Sequence, residues 1–187
     1  MIISPTLLTF KIVIGHLCRL QKVDDALKVL HKMKKDSKSV TPDVAIYNTI
    51  IKGLCNVGRQ EEALVLIESM RSDYGYAPNI VTYNALIDGY CKAGEMNRSM
   101  KLFDQVKEEG LVPNAGTYGA IINGFCKAYK LNEAMNVFNV MVSTAKEQEC
   151  RPNNTTMIIL SNWWDCYLRY DDDRLETLVQ EYEPEVS

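Results

Sequence analysis

The sequence predicts an all-α chain: a right-handed α-solenoid of stacked helix-turn-helix hairpins, about four regular repeats followed by a divergent C-terminal cap. Two observations carry this reading. First, Phe10, Tyr47, Tyr83 and Tyr118 recur at steps of 37, 36 and 35 residues, and three further columns keep the same rhythm: Cys18, Cys55, Cys91, Cys126; Ala26, Ala63, Ser99, Ala134; and Met33, Met70, Val106, Met141. A period in this range marks stacked supersecondary units, none of which can bury its apolar face alone. Second, each unit carries two apolar stripes at helical spacing, parted and ended by chain breakers. The expected organisation is a single repeat domain over 1–187, with repeats 7–43, 44–79, 80–114 and 115–153 and a cap at 154–187.

Taken in order, the first unit shows its four column residues, Phe10, Cys18, Ala26 and Met33. In the second, Tyr47, Ile50, Ile51, Leu54 and Cys55 form one stripe and Leu64, Ile67 and Met70 another. The third is the cleanest. Tyr83, Leu86, Ile87, Tyr90 and Cys91 line one helical face; Gly94 stops that helix; Met96, Met100, Phe103 and Val106 line a second helix that ends at Gly110, with Pro113 beyond it. Small residues at the Ala26 column let paired helices approach closely. Length variation falls in the connectors 36–42, 72–78 and 146–152, where solenoids tolerate it. The fifth unit has Met157 in place of the aromatic and Trp163-Trp164 where others have Gly-Leu, Gly-Tyr or Gly-Phe. Its stripe Leu175, Leu178, Val179 and Tyr182, backed by acids, reads as a terminal cap, with the tryptophans as packing rather than ligand-stacking residues.

Composition sets limits on function. A hydrophobic fraction of 47% belongs to a folded chain. No apolar run approaches the roughly 20 residues of a membrane span, so a soluble protein without a membrane partner is expected. Net charge is −3, but residues 171–187 alone hold −6, which leaves +3 on residues 1–170. Four of the six cysteines recur once per repeat on an apolar face. Equivalent residues of packed helices lie roughly 9–10 Å apart, beyond disulfide reach, so free buried thiols are expected. Neither a CxxC pair nor a Cys/His cluster has zinc spacing, and His16 and His31 stand outside any motif. No nucleophile with a base, paired carboxylates or Gly-rich phosphate loop occurs, so no enzyme, no cofactor and no small-molecule substrate are expected. Met1 to Thr6 show neither an apolar signal core nor an Arg- and Ser-rich leader, so no targeting peptide is read in this chain.

The strings VAIYNTIIKGLCNVG (44–58), VTYNALIDGYCKAG (81–94) and GTYGAIINGFCKA (116–128) resemble the pentatricopeptide repeat family. So do Glu62-Ala63, Ser99-Met100 and Glu133-Ala134 near the starts of second helices, and Pro-Asp or Pro-Asn at unit ends. The likeness is strong over residues 5–153. The tetratricopeptide repeat, a peptide-binding hairpin of similar length, is the nearest competitor, but the regular units lack its Trp and Leu-Gly pattern. The resemblance implies a P-type module that binds single-stranded RNA, one base per repeat, in mitochondrion or chloroplast, where it serves RNA processing, stability, splicing or translation. Other RNA-processing proteins are optional further partners.

The resemblance assigns base reading to the residue after the aromatic together with the residue after the terminal proline: Lys11 with Asp43, Asn48 with Asn79, Asn84 with Asn114, and Gly119 with Asn153. Asn/Asn pairs are associated in the family with pyrimidines, cytosine over uracil, so two adjacent pyrimidines are expected at units two and three. Lys11 and Gly119 depart from the family's usual residues and relax the expectation at units one and four. Leu8, Ala45, Val81 and Gly116 take the base-sandwiching position; Arg19, Lys92 and Lys127 take the phosphate-facing one, with Asn56 breaking that ladder. A plainer account exists for Asp43, Asn79, Asn114 and Asn153, since Asp and Asn are favoured N-caps anywhere. It does less for Asn48 and Asn84, because Asn is a poor helix former.

Charge placement is an independent consideration. First helices carry Lys11, Arg19, Lys52, Lys92 and Lys127 against Asp88, a net of +4, while second helices hold most acids, including Asp24, Asp25, Glu61, Glu62, Asp104, Glu108 and Glu109. First helices lining a concave face would give a positive track for phosphates. The rival function is a helical scaffold that binds a protein segment, as tetratricopeptide repeats do; a third is a fragment that binds nothing tightly alone, since about four bases cannot single out a site among many competitors.

Overall fold

The computed structural model describes residues 5–36, 40–148 and 156–159. Among these, eight α-helices follow one another: α1 (Leu7–Arg19), α2 (Val23–Asp36), α3 (Val44–Asn56), α4 (Gln60–Tyr74), α5 (Ile80–Lys92), α6 (Met96–Glu108), α7 (Ala115–Lys127) and α8 (Leu131–Gln148). They pair as the hairpins α1–α2, α3–α4, α5–α6 and α7–α8, and residues 156–159 add one helical turn. Met157 in that turn packs against the core cluster shared by the last two hairpins; the remaining cap residues singled out above, Trp163, Trp164, Leu175, Leu178, Val179 and Tyr182, lie outside the described residues, as does Asn153.

Local chemistry fixes where each helix begins and ends. Thr6, Asp43, Asn79 and Asn114 sit in extended backbone as N-caps of the four first helices, each side chain accepting a backbone N–H from the first turn. Every hairpin then turns through one left-handed residue at the same place in the unit: Gly58 (φ 78°) and Gly94 (φ 77°), but also Gln21 (φ 59°) and Tyr129 (φ 56°). A side chain in this region is strained. The turn forms anyway because its hydrogen bonds repeat: Lys22 N–H donates to Leu17 O, as Arg59 does to Leu54, Glu95 to Tyr90 and Lys130 to Phe125.

Packing between units is asymmetric. Each first helix lies directly against the next, α1 on α3, α3 on α5 and α5 on α7, whereas successive second helices make no close backbone approach. First helices therefore form a tight inner layer and second helices a splayed outer one, which curves the stack with first helices on the concave side. The columns read from sequence fill the seam between layers: Tyr47, Tyr83 and Tyr118, Ala26, Ala63, Ser99 and Ala134, and Met33, Met70, Val106 and Met141 are all buried.

The inner pitch is set by glycine against cysteine. A Cβ added to Gly53, Gly89 or Gly124 would come within 2.9, 2.8 and 2.8 Å of Cys18, Cys55 and Cys91 of the preceding unit, closer than carbon atoms can approach. Gln60 reinforces one contact by donating from Nε2 to the Gly89 carbonyl at 2.9 Å. The outer layer is spanned differently, by long ion pairs: Lys34 to Asp73 at 2.7 Å, Arg59 to Asp24 at 2.7 Å, Arg71 to Glu109 at 3.7 Å, and Arg98 to Glu61.

Cys18, Cys55, Cys91 and Cys126 are free thiols. Burial pushes Cys55 up to about 12, with Asp88 adding to the effect, and Cys91 and Cys126 up to about 11. No helix among the described residues is long and apolar enough to cross a membrane, and no three His, Cys, Asp or Glu side chains gather as a metal site.

In the first unit His16 stands in the column of Gly53, Gly89 and Gly124, and Gly15, one position before it, meets nothing within 4 Å. Gly89→Ala should therefore cost about 1–3 kcal/mol by overpacking, while Gly15→Ala should gain up to about 1 kcal/mol from helix propensity; thermal or denaturant unfolding of the two variants checks the contrast. Because only thiolate reacts and these groups hold their protons above neutral pH, Cys55, Cys91 and Cys126 should alkylate at least about a hundredfold more slowly in the native protein than in the denatured one at pH 8, read residue by residue by mass spectrometry.

Candidate nucleic-acid interface

The first helices present their polar residues along the concave face, where a groove of about 520 Å³ opens, lined by Asn48, Val81, Asn84, Gly116, Gly119 and Thr156 among others. Three of the assigned pairs are physically joined. Asn48 Nδ2 donates to Asn79 Oδ1 at 3.2 Å, and Asn84 Nδ2 to Asn114 Oδ1 at 3.1 Å. Lys11 Nζ forms an ion pair with Asp43 Oδ2 at 2.6 Å, while Asp43 Oδ1 accepts from Ile46 N–H at 3.1 Å. Gly119 has no side chain to offer, and the Thr156 hydroxyl stands 3.6 Å from where its Cβ would be.

The N-cap role and the pairing coexist in the same atoms. Asn79 Oδ1 accepts from Val81 N–H and Thr82 N–H at 3.0 and 3.2 Å, and Asn114 Oδ1 from Gly116 N–H and Thr117 N–H at 3.0 and 3.1 Å. The capping account is thus true of Asp43, Asn79 and Asn114, and it leaves the Nδ2 groups of Asn79 and Asn114 turned away from the helix. Asn48 is only 8% exposed, because the next unit's first turn closes over it. Asn84 stays more open.

Flanking side chains complete the face. Leu8 and Val81 project into solvent at 65% and 55% exposure, with Ala45 and Gly116 exposed at the equivalent position. Lys92 is tied to Asp88 at 2.6 Å and to Asn56 Oδ1 at 3.0 Å, Arg19 lies 3.5 Å from His16 Nδ1, and Lys127 is exposed. Lys52, one turn after Asn48, lines the groove itself and has no ionic partner among the described residues. Its helical spacing from Asn48 was the available signal that it shares the base-facing side.

The repeats match family models over most of the chain: a PPR repeat at residues 1–34, 38–71 and 116–143, and the PPR repeat family at 78–127. The chain belongs to the pentatricopeptide repeat family. A pentatricopeptide repeat-containing protein of Arabidopsis thaliana is 33% identical over 67 residues, which is 36% of this chain and 12% of that protein. The small ribosomal subunit protein mS79 of the same plant is 40% identical over 55 residues, 29% of this chain and 14% of that one. Among solved structures, the pentatricopeptide repeat protein PPR10 from maize superposes with a TM-score of 0.70 at 20% identity, covering 96% of this chain and 24% of the other. PPR10 in complex with an 18-nt psaJ RNA element superposes with a TM-score of 0.68 at 30% identity, covering 72% and 20%. The pentatricopeptide domain of Arabidopsis thaliana protein-only RNase P 1, in complex with tRNA, gives 0.58 at 15%, over 87% and 82%. This chain thus spans about a quarter or less of the PPR10 chains, of the pentatricopeptide repeat-containing protein and of mS79.

What sequence reasoning missed in this pentatricopeptide groove is a hydroxyl from the neighbouring unit. Thr82 Oγ1 donates to Asn48 Oδ1, and Thr117 Oγ1 to Asn84 Oδ1, each at 2.6 Å. Because Asn79 joins a helix cap to this pairing, Asn79→Ala should lower stability by about 1–2 kcal/mol, measured by denaturant unfolding without ligand.

Proposed function

We propose that this chain is a sequence-selective module for single-stranded RNA, one base per unit, with units two and three each taking a pyrimidine and preferring cytosine to uracil. The observation that carries this reading is that Asn48 and Asn84, which line one groove, are bonded to Asn79 and Asn114. The RNA in the related PPR10 complex supports the ligand class. Amide N–H groups can bond base edges, exposed Leu8 and Val81 can wedge against base faces, and Lys52, Lys92, Arg19 and Lys127 supply cations for the backbone. Lys11 with Asp43 and Gly119 with Asn153 are the less selective units. The organellar setting, in RNA processing, stability, splicing or translation, rests on family resemblance, with a ribosomal subunit protein among the relatives as support.

The test is fluorescence anisotropy with short RNAs randomised at four adjacent positions. Cytosine should be favoured at two neighbouring positions, and Asn84→Ala should remove roughly tenfold of that preference at one of them. Lys52→Ala should flatten the salt dependence by about 0.7 in log–log slope, the value of one phosphate contact on a single strand. Equal affinity for every sequence would overturn base reading, and affinity unaffected by salt would favour a protein-binding scaffold.

A further inference from the structure

We propose that Thr82 and Thr117 are positioning residues that set base preference: each hydroxyl, carried by the following unit, holds the amide of Asn48 or Asn84 so that the pair shows the base N–H donors, with both amide oxygens engaged by protein. The inference rests on the RNA reading above and deepens it.

The proton order around Asn48 follows from groups that can only donate. Val81 N–H and Thr82 N–H both point at Asn79, so the atom there is the carbonyl oxygen and the Asn79 Nδ2 group faces outward. That oxygen receives the Asn48 contact, so the atom Asn48 offers is Nδ2. Asn48 Oδ1 therefore faces Thr82. Asn79 N–H donates to Thr82 Oγ1 at 3.1 Å, which leaves the threonine's own proton for Asn48 Oδ1 at 2.6 Å. The circuit recurs around Asn84: Asn114 N–H donates to Thr117 Oγ1 at 3.0 Å, Thr117 donates to Asn84 Oδ1 at 2.6 Å, and Asn84 Nδ2 donates to Asn114 Oδ1 at 3.1 Å.

An amide is normally ambivalent, since a half-turn exchanges its donor and acceptor ends. Here the hydroxyl removes the ambivalence. Thr82 and Thr117 are 0% exposed, so water cannot stand in for them. What remains for a ligand is one proton on Asn48 Nδ2 and two on Asn79 Nδ2, and likewise on Asn84 and Asn114. Such a set matches an acceptor-rich edge. Cytosine offers O2 and N3 as acceptors, whereas uracil carries a proton on N3 that meets these donors head-on. Unit one provides the contrast within the chain: Ile46 stands in the threonine's place, and an ion pair replaces the amides.

The experiment compares RNAs carrying cytosine or uracil at the positions facing units two and three. The unsubstituted chain should prefer cytosine at both. Thr82→Val should bring the ratio to within about twofold of unity at the unit-two position only, consistent with loss of one buried hydrogen bond, and Thr82→Ser should restore it. Thr82 also closes a capping box on α5, so Thr9→Val, which opens the same box on α1 where no amide is held, controls for lost helix stability; it should leave both ratios unchanged. Thr117→Val should repeat the effect at the unit-three position, and it serves if Thr82→Val does not fold. An unaltered cytosine preference in the valine variants would overturn the positioning role while leaving RNA decoding intact. No preference in the unsubstituted chain would overturn both.

Discussion

The structure depends on how closely consecutive first helices can approach. At Gly53, Gly89 and Gly124 a backbone without a side chain rests on the cysteine of the preceding unit, at a distance that no Cβ would permit. This contact is short because both partners are small, and it repeats because the unit repeats. Everything on the concave face inherits its spacing: the distance between neighbouring amides, and the ability of a threonine on one helix to reach an asparagine on the previous one.

The outer layer obeys a different rule. Its helices stand apart, and extended side chains bridge them through Lys34–Asp73, Arg59–Asp24 and Arg98–Glu61. Exposed pairs of this kind are weak and screened by salt, whereas the inner contacts are dry and steric. The two edges of the stack thus divide the work. Packing fixes the pitch where a ligand would lie, and electrostatics ties the units where geometry can vary.

Much of this was legible in the sequence because each column obeys a local rule. Tyr83 and Cys91 fall on a helical stripe, and Asn79 and Asn114 are good caps wherever they occur. Other features were hidden for physical reasons. Gln21 and Tyr129 turn through left-handed backbone without the glycine that announces it at Gly58 and Gly94, because hydrogen bonds to the preceding helix enforce the turn. The ion pairs join residues 35 to 39 positions apart, which no periodic pattern specifies. Thr82 and Thr117 resemble ordinary capping-box residues, which they also are; their second bond crosses into the neighbouring unit, and a reading made one unit at a time cannot see it.

That crossing bears on how such proteins could be rebuilt. Asn48, Asn79 and Thr82 form one closed circuit, yet Thr82 belongs to the next hairpin. A recombinant boundary drawn at Pro78, the visible seam between modules, would leave the asparagine in one cassette and its hydroxyl in another. The smallest portable cassette runs instead from the amide of one hairpin through the threonine of its successor, and arrays assembled from such overlapping pieces would keep every donor circuit whole.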